Sequence, residues 1–296
     1  MKTILMSFIS LSFTAIFLTS NGQSPAIHYN GKIIDLHVHI GLDEQETKSM
    51  STTQANSLRD ILSFMKSIPI DKIGIITMAH KGDMADTRRR NDSIIALSKQ
   101  YPSLIPICSV HPMDGEEAFV EMARIQKKGV QIIKLHPNTQ HFDVSAPEVA
   151  AVARKAGELH MILLFDSYSL EDPGEIGKLV LLAATHPDAR FIFAHMGLMN
   201  FSQLLVIDGL KKYPWFKSNI WMDLSAIAPV LGDSPFREQL VWTIRKIGIT
   251  QFLFGSDFPI FSPGEAIKGL HAMGLTAAEE KQVCYTNACT LLQIQP

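Results

Sequence analysis

The sequence predicts an α/β protein built as a single (β/α)8 TIM barrel of parallel strands, and three observations predict it. Eight short runs of apolar or β-branched residues recur between Ile33 and Phe254. These runs are continuous rather than alternating, which suits strands buried on both faces, as in a parallel sheet wrapped by helices. The stretches between them carry helical periodicity punctuated by Pro and Gly. Eight such units fit comfortably in the 296 residues. An open doubly wound sheet is the structural competitor, but no GxGxxG follows the first run.

In chain order, residues 1–22 come first and lie outside this fold. Met1-Lys2 precede an apolar stretch from Ile4 to Leu18 interrupted only by Ser and Thr, and Ser20 and Gly22 supply small residues before Gln23. This layout predicts a cleaved signal peptide, with residues 23–296 forming the exported domain in the periplasm or the medium. An uncleaved anchor would need about 20 apolar residues, and this run is shorter and lacks a basic flank after it. Strands are then expected at Ile33–Val38, Ile73–Met78, Ile105–Val110, Val130–Leu135, Met161–Phe165, Phe191–Ala194, Ile220–Leu224 and Gln251–Phe254. Helices are expected at Arg89–Gln100, stopping before Pro102, at Glu116–Lys128, stopping at Gly129, and at Pro147–Glu158, with Pro in its first turn. Pro173–Thr185, Gln203–Tyr213 and Pro235–Ile247 follow the same rule.

Composition narrows the function classes. Hydrophobic residues at 46% and charged residues at 19% exclude disorder as the main state. A net charge of −2, with no basic concentration, gives nucleic acid no footprint. Cys108, Cys284 and Cys289 are scattered and lack CxxC spacing, so they read as core residues rather than a disulfide framework or a thiolate metal site. The expected partner is a small-molecule substrate, without stable membrane insertion after leader cleavage; a homo-oligomer is left open.

Eleven histidines are many for this length, and several close the apolar runs. In a (β/α)8 barrel, catalytic groups come from the C-terminal strand ends. Asp35-Leu36-His37-Val38-His39 ends the first strand, Lys134-Leu135-His136-Pro137 the fourth and Asp166-Ser167 the fifth. His195-Met196-Gly197 ends the sixth and Gly255-Ser256-Asp257-Phe258-Pro259 the eighth. His37 and His39, two apart, point to one side of a strand and can share one metal ion. An isolated HxH pair is more often a hydrogen-bonded core pair, but His195 and Asp257 on the same rim favour the metal. Donors of N and O without thiolate suit Zn²⁺ first, with Mn²⁺ or Fe²⁺ as alternatives. Asp257, in a tight apolar turn, can bind the ion and take a proton from water; the competing role is a turn or N-cap Asp.

The stretches IIDLHVHIG (33–41), IKLHP (133–137), FAHMG (193–197), FGSDFP (254–259) and TNACTLL (286–292) resemble the amidohydrolase superfamily. Within it they are most similar to the amidohydrolase-related branch that includes aminocarboxymuconate-semialdehyde decarboxylase, lactonases and hydrolases. The resemblance covers about residues 32–292 and implies a TIM barrel, a divalent metal at the C-terminal rim and a metal-activated water. It implies His37 and His39 as first-strand ligands, His195 as a ligand or general acid/base, and Asp257 as ligand and base. One position departs: the fifth strand of that family usually ends with a metal-binding His, and here Asp166 stands in its place. Asp166 as a ligand, no fifth-strand ligand, and a carbamate on Lys134 are the three alternatives. A plain Lys134 could instead hold a substrate carboxylate as a point charge.

His136 and His111 are further candidates for substrate contact. For His136 the competing role is to fix the His-Pro turn, and His80 follows the second strand with a weaker claim. Arg88-Arg89-Arg90 reads as a solvated charge run, with anion binding as the alternative. The expected activity is metal-dependent hydrolysis of a small ester, lactone or amide. Metal-dependent decarboxylation of a small carboxylic acid is the alternative.

Overall fold

The structure is a computed structural model that describes residues 27–42 and 56–295. The expected leader, residues 1–22, and the start of the exported domain therefore lie outside the described residues. Eight parallel strands follow one another around a single sheet in sequence order: β1 (Ile33–His39), β2 (Ile70–Ile76), β3 (Leu104–Ser109), β4 (Ile132–Leu135), β5 (Ile162–Phe165), β6 (Arg190–Phe193), β7 (Ile220–Asp223) and β8 (Phe252–Leu253). The ring closes between β8 and β1. The Leu36 amide donates to the Phe254 carbonyl (3.1 Å), the Asp257 amide to the His37 carbonyl (2.8 Å) and the His39 amide to the Phe258 carbonyl (2.8 Å). Closure removes the exposed edges that an open sheet would have to protect.

The helices are α1 (Leu58–Ser67), α2 (Met84–Gln100), α3 (Glu116–Gln126), α4 (Pro137–Gln140), α5 (Pro147–Glu158), α6 (Glu175–Thr185), α7 (Val206–Leu210), α8 (Ile227–Leu231), α9 (Arg237–Ile247), α10 (Pro263–Ala272), α11 (Ala277–Lys281) and α12 (Asn287–Leu292). Two apolar layers follow. Inside the ring, Ile34, Leu36, Ile107, Ile132, Ile162, Leu164, Ile192 and Leu253 pack on one another and on Ala288, Leu291 and Leu292 of α12. Outside it, Ile73, Ile133, Leu163 and Phe191 meet the inner faces of the helices. Residues alternate between the layers along most of the strands, so both faces are apolar and the runs read as continuous. No described helix is long and apolar enough to cross a membrane.

Several boundaries depart from the sequence expectation. Strand β2 starts at Ile70 and ends at Ile76, earlier than expected, so Thr77 and Met78 sit on the rim. Helix α2 begins at Met84, not Arg89, because the Asp83 side chain accepts the Asp86 amide as an N-cap. The Arg88-Arg89-Arg90 run is therefore helical; Arg89 and Arg90 both pair with Asp86 on the same helix. The helix expected at Gln203–Tyr213 is only α7. Upstream of it the chain turns sharply through His195, Met196, Gly197 and Leu198, all at positive φ, and continues in 3-10 turns to Leu205. Helices α1, α4, α8, α10, α11 and α12 lie outside the expected set.

Candidate active site

The β1–β2 register slips between Asp35 and Val38. Leu36 packs in the inner layer and Val38 in the outer one, so His37 sits at the irregularity that changes which residues face inward. His37 and His39 end on the same side, their ring centroids 5.2 Å apart. Asp35 clamps this segment to the loop after β8, accepting the His37 amide (3.1 Å) and the Ser256 amide (2.9 Å). Burial pushes its carboxyl up to about 7. Gly255 is required beside it: a Cβ there would stand 2.8 Å from His37 Cβ and 3.0 Å from Ser225 Cβ. The next turn brings Asp257 over the ring with φ at 63°, a left-handed conformation that Asp tolerates better than most residues.

Three donors converge there. Asp257 Oδ1 lies 3.4 Å from His37 Nε2 and 3.4 Å from His39 Nε2. All three ligand atoms lie within 4.8 Å of one another. The hydrogen bonds also set the tautomer that a metal requires. Lys134 Nζ can only donate, and it donates to His37 Nε2 (3.3 Å), so that nitrogen carries the lone pair. His37 Nδ1 then carries the proton and donates to Asp223 Oδ2 (2.9 Å). A carboxylate behind a histidine in this way orients a ligating imidazole and raises its basicity. Burial, and then the Lys134 charge, lower His37 to about 4 despite Asp223, which keeps the ring neutral. The donor set thus fits one divalent ion.

A second trio, His37, His195 and Asp223, is also compact, but it forms the hydrogen-bonded floor of the site. Asp223 Oδ1 accepts the His195 amide (2.9 Å) and the Ser225 amide (3.1 Å) and is also bonded by the Ser225 hydroxyl. That hydroxyl in turn meets His195 Nδ1 (2.9 Å). With its proton committed to Asp223, Ser225 Oγ accepts from His195, so Nδ1 of His195 is a donor. His195 Nε2 faces Asp166 Oδ2 at 3.1 Å. Both nitrogens are placed to donate, the arrangement of an imidazolium. Burial pushes His195 down, but Asp257 and the Asp166 hydrogen bond outweigh it and raise the group to about 9. Burial pushes Asp257 up, yet His195 and the two first-strand histidines bring it down to about 2.

Asp166 Oδ2 also lies 3.3 Å from His136 Nε2, so this carboxylate stands between two imidazoles. Among the described residues no compact donor trio includes it. Burial would raise its pKa, but His136 and His195 hold it well below the usual carboxylate range. His136 is lowered to about 4, chiefly by burial. Above these groups a pocket of about 410 Å³ is lined by His39, Thr77, His80, Arg90, His136, Asp166, His195, Asp257 and Ile260.

The structure thus gathers His37, His39, Lys134, His136, Asp166, His195 and Asp257 at one end of the barrel. It does not bring His111 to the pocket wall. His111 is buried, its Nε2 bonded to the Gln140 carbonyl (2.7 Å) and its Nδ1 accepting the Met113 amide (3.2 Å), so it braces the loops after β3 and β4. Sequence reasoning missed Asp223 and Ser225. The signal was present: β7 ends Met222-Asp223-Leu224-Ser225, two polar residues closing an apolar strand as at the other rim positions.

No curated protein matches the chain. Among solved structures, a 2,6-dihydroxybenzoate decarboxylase from Rhizobium superposes with a TM-score of 0.70 at 15% identity, covering 90% of this chain and 99% of that one. A dihydroxybenzoic acid decarboxylase from Polaromonas with bound manganese and 2-nitroresorcinol gives a TM-score of 0.66 at 17% identity, covering 89% and 97%. A candidate 2-pyrone-4,6-dicarboxylic acid hydrolase from Pseudomonas putida gives 0.64 at 16% identity, covering 91% and 100%. At these identities the likeness is one of fold. The amidohydrolase family model matches residues 34–294, from β1 to beyond α12, and so takes in every rim residue described above. By that match over most of its length, this chain belongs to the amidohydrolase family.

Proposed function

We propose that the protein is a metal-dependent hydrolase of a small ester, lactone or amide, its divalent ion held by His37, His39 and Asp257. The observation that carries this reading is the geometry: His37, His39 and Asp257 converge on one point, and Asp257 and His195 both line the pocket above it. A divalent ion bound there would polarise the scissile carbonyl and lower the pKa of water toward about 7. Asp257 accepts the proton that the attacking water loses. His195, held as imidazolium by Asp166, donates a proton to the departing oxygen or nitrogen. Separating base from acid in this way lets both act at one pH. Asp223 and Ser225 hold the backs of His37 and His195, so neither ring turns during the cycle. The pocket's volume suits a small molecule.

The N and O donors suit Zn²⁺ first, with Mn²⁺ or Fe²⁺ as alternatives, and the manganese-bound structural relative supports Mn²⁺. A second reading, decarboxylation of a small carboxylic acid, draws on the decarboxylases among the similar structures. It also draws on the cations near the pocket: Lys134 beneath it and Arg90, paired with Asp86, in its wall. Incubating the metal-loaded protein with lactones, esters, amides and aromatic carboxylic acids separates the two readings. Hydrolysis is expected to release an acid from the first three classes. Carbon dioxide release from the carboxylic acids, without turnover of the others, would replace hydrolysis by decarboxylation.

A further inference from the structure

Away from this site, a second set of ligating side chains comes together from opposite ends of the chain. His28 precedes β1, whereas His271 ends α10 and Glu280 lies in α11. Strand β1 runs from the His28 side toward the active-site rim, and its 7 residues span about 20 Å, so the cluster lies near the opposite, N-terminal end of the barrel. That end of a (β/α)8 barrel serves stability rather than catalysis.

The cluster has the chemistry of a cation site. Glu280 is fully buried, and its two oxygens face different groups. Oε1 lies 2.9 Å from His28 Nδ1, while Oε2 accepts the Tyr29 amide (2.7 Å) and lies 3.9 Å from His271 Nε2. The two rings stack, centroids 4.2 Å apart and planes 17° from parallel. Burial lowers the pKa of His271, which leaves that ring a lone pair to offer. The three ligand atoms lie within 4.8 Å of one another. Donors around a tetrahedral Zn²⁺ are separated by roughly 3.3 Å, given bonds of about 2.0–2.1 Å. Glu280 reaches both rings, Oε1 at 2.9 Å from His28 and Oε2 at 3.9 Å from His271, so its carboxylate faces an ion held between them. Both histidines are about one-third exposed, at 33% and 31%, so an ion reaches them directly from solvent.

We propose that His28, His271 and Glu280 form a second, structural site for Zn²⁺ or a similar transition-metal ion, with water completing its coordination. The ion ties the segment before β1 to the α10–α11 corner, 252 residues away from His28 at Glu280. Because the unfolded chain would have to close that long loop to bind, the ion favours the folded state by mass action.

The test is a Zn²⁺ titration of the metal-stripped full-length chain, following bound metal and melting temperature. Wild type is expected to bind two equivalents, and His271→Ala to bind one and lose that part of the zinc-induced rise in melting temperature. The exposed His271 ring makes this variant a mild one for folding, and His28→Ala gives the same readout should His271→Ala misfold. Equal zinc stoichiometry in wild type and both variants would overturn the proposal, because His28 and His271 would then only satisfy a buried glutamate.

Discussion

Asp223 accepts three bonds through one oxygen and takes the His37 Nδ1 proton with the other, so its loss should be felt at a metal it never touches. Asp223→Asn is expected to weaken metal binding by about 10–100-fold, as measured by competition with a chelator. Unchanged affinity would mean that Asp223 is only a fold residue. Asp166 poses the sharper question. A ligand replacing histidine was one of the three alternatives the sequence left open; in the structure its Oδ2 faces His195 and His136. We therefore expect Asp166→Asn to keep its metal while losing activity, and to change the pH profile in a stated direction. His195 must be protonated to act as an acid, so wild-type activity should fall as pH rises through about 9. Removing the Asp166 charge removes a cause that raises the group, so the alkaline limb should move to lower pH. Metal loss in Asp166→Asn, restored by excess metal, would return Asp166 to the ligand set.

At the scale of elements, the site depends on how closely the end of β8 approaches β1 and β7. Gly255→Ala would bring a methyl against the Cβ atoms of His37 and Ser225, whose positions the packed backbone fixes so that no side-chain rotation moves them aside. The substitution should cost about 1–3 kcal/mol of stability and weaken metal binding, read by thermal melting and chelator competition. A variant as stable and as metal-avid as wild type would show the approach to be slack. The same elements show what could be read from sequence. Continuous apolar runs located all eight strands, because both of their faces are buried, and the rim residues followed from where those runs stopped. The turn at His195–Leu198 escaped because its four positive φ values follow from the bonding of His195 to Asp223 and Asp166, not from local propensity. The slip in β1 escaped for a like reason, since it exists only in relation to β2. Asp223 and Ser225 carried a signal, two polar residues closing an apolar run, but their role shows only once His37 and His195 are placed against them.

At the scale of the whole molecule, the barrel brings residues from the first, fourth, fifth, sixth, seventh and eighth strand ends to one rim. We propose that it does so in an exported chain; protein from the native host should then show an intact mass beginning at Gln23, and retention of residues 1–22 would contradict this. The central claim is that His37, His39 and Asp257 hold one ion on which activity depends. Metal content per chain, measured by elemental analysis on wild type and on His37→Ala/His39→Ala purified side by side, tests it most directly. The double variant is expected to carry one equivalent of divalent metal less than wild type and to have no activity, while circular dichroism shows the barrel intact. Equal metal content with activity preserved would contradict it.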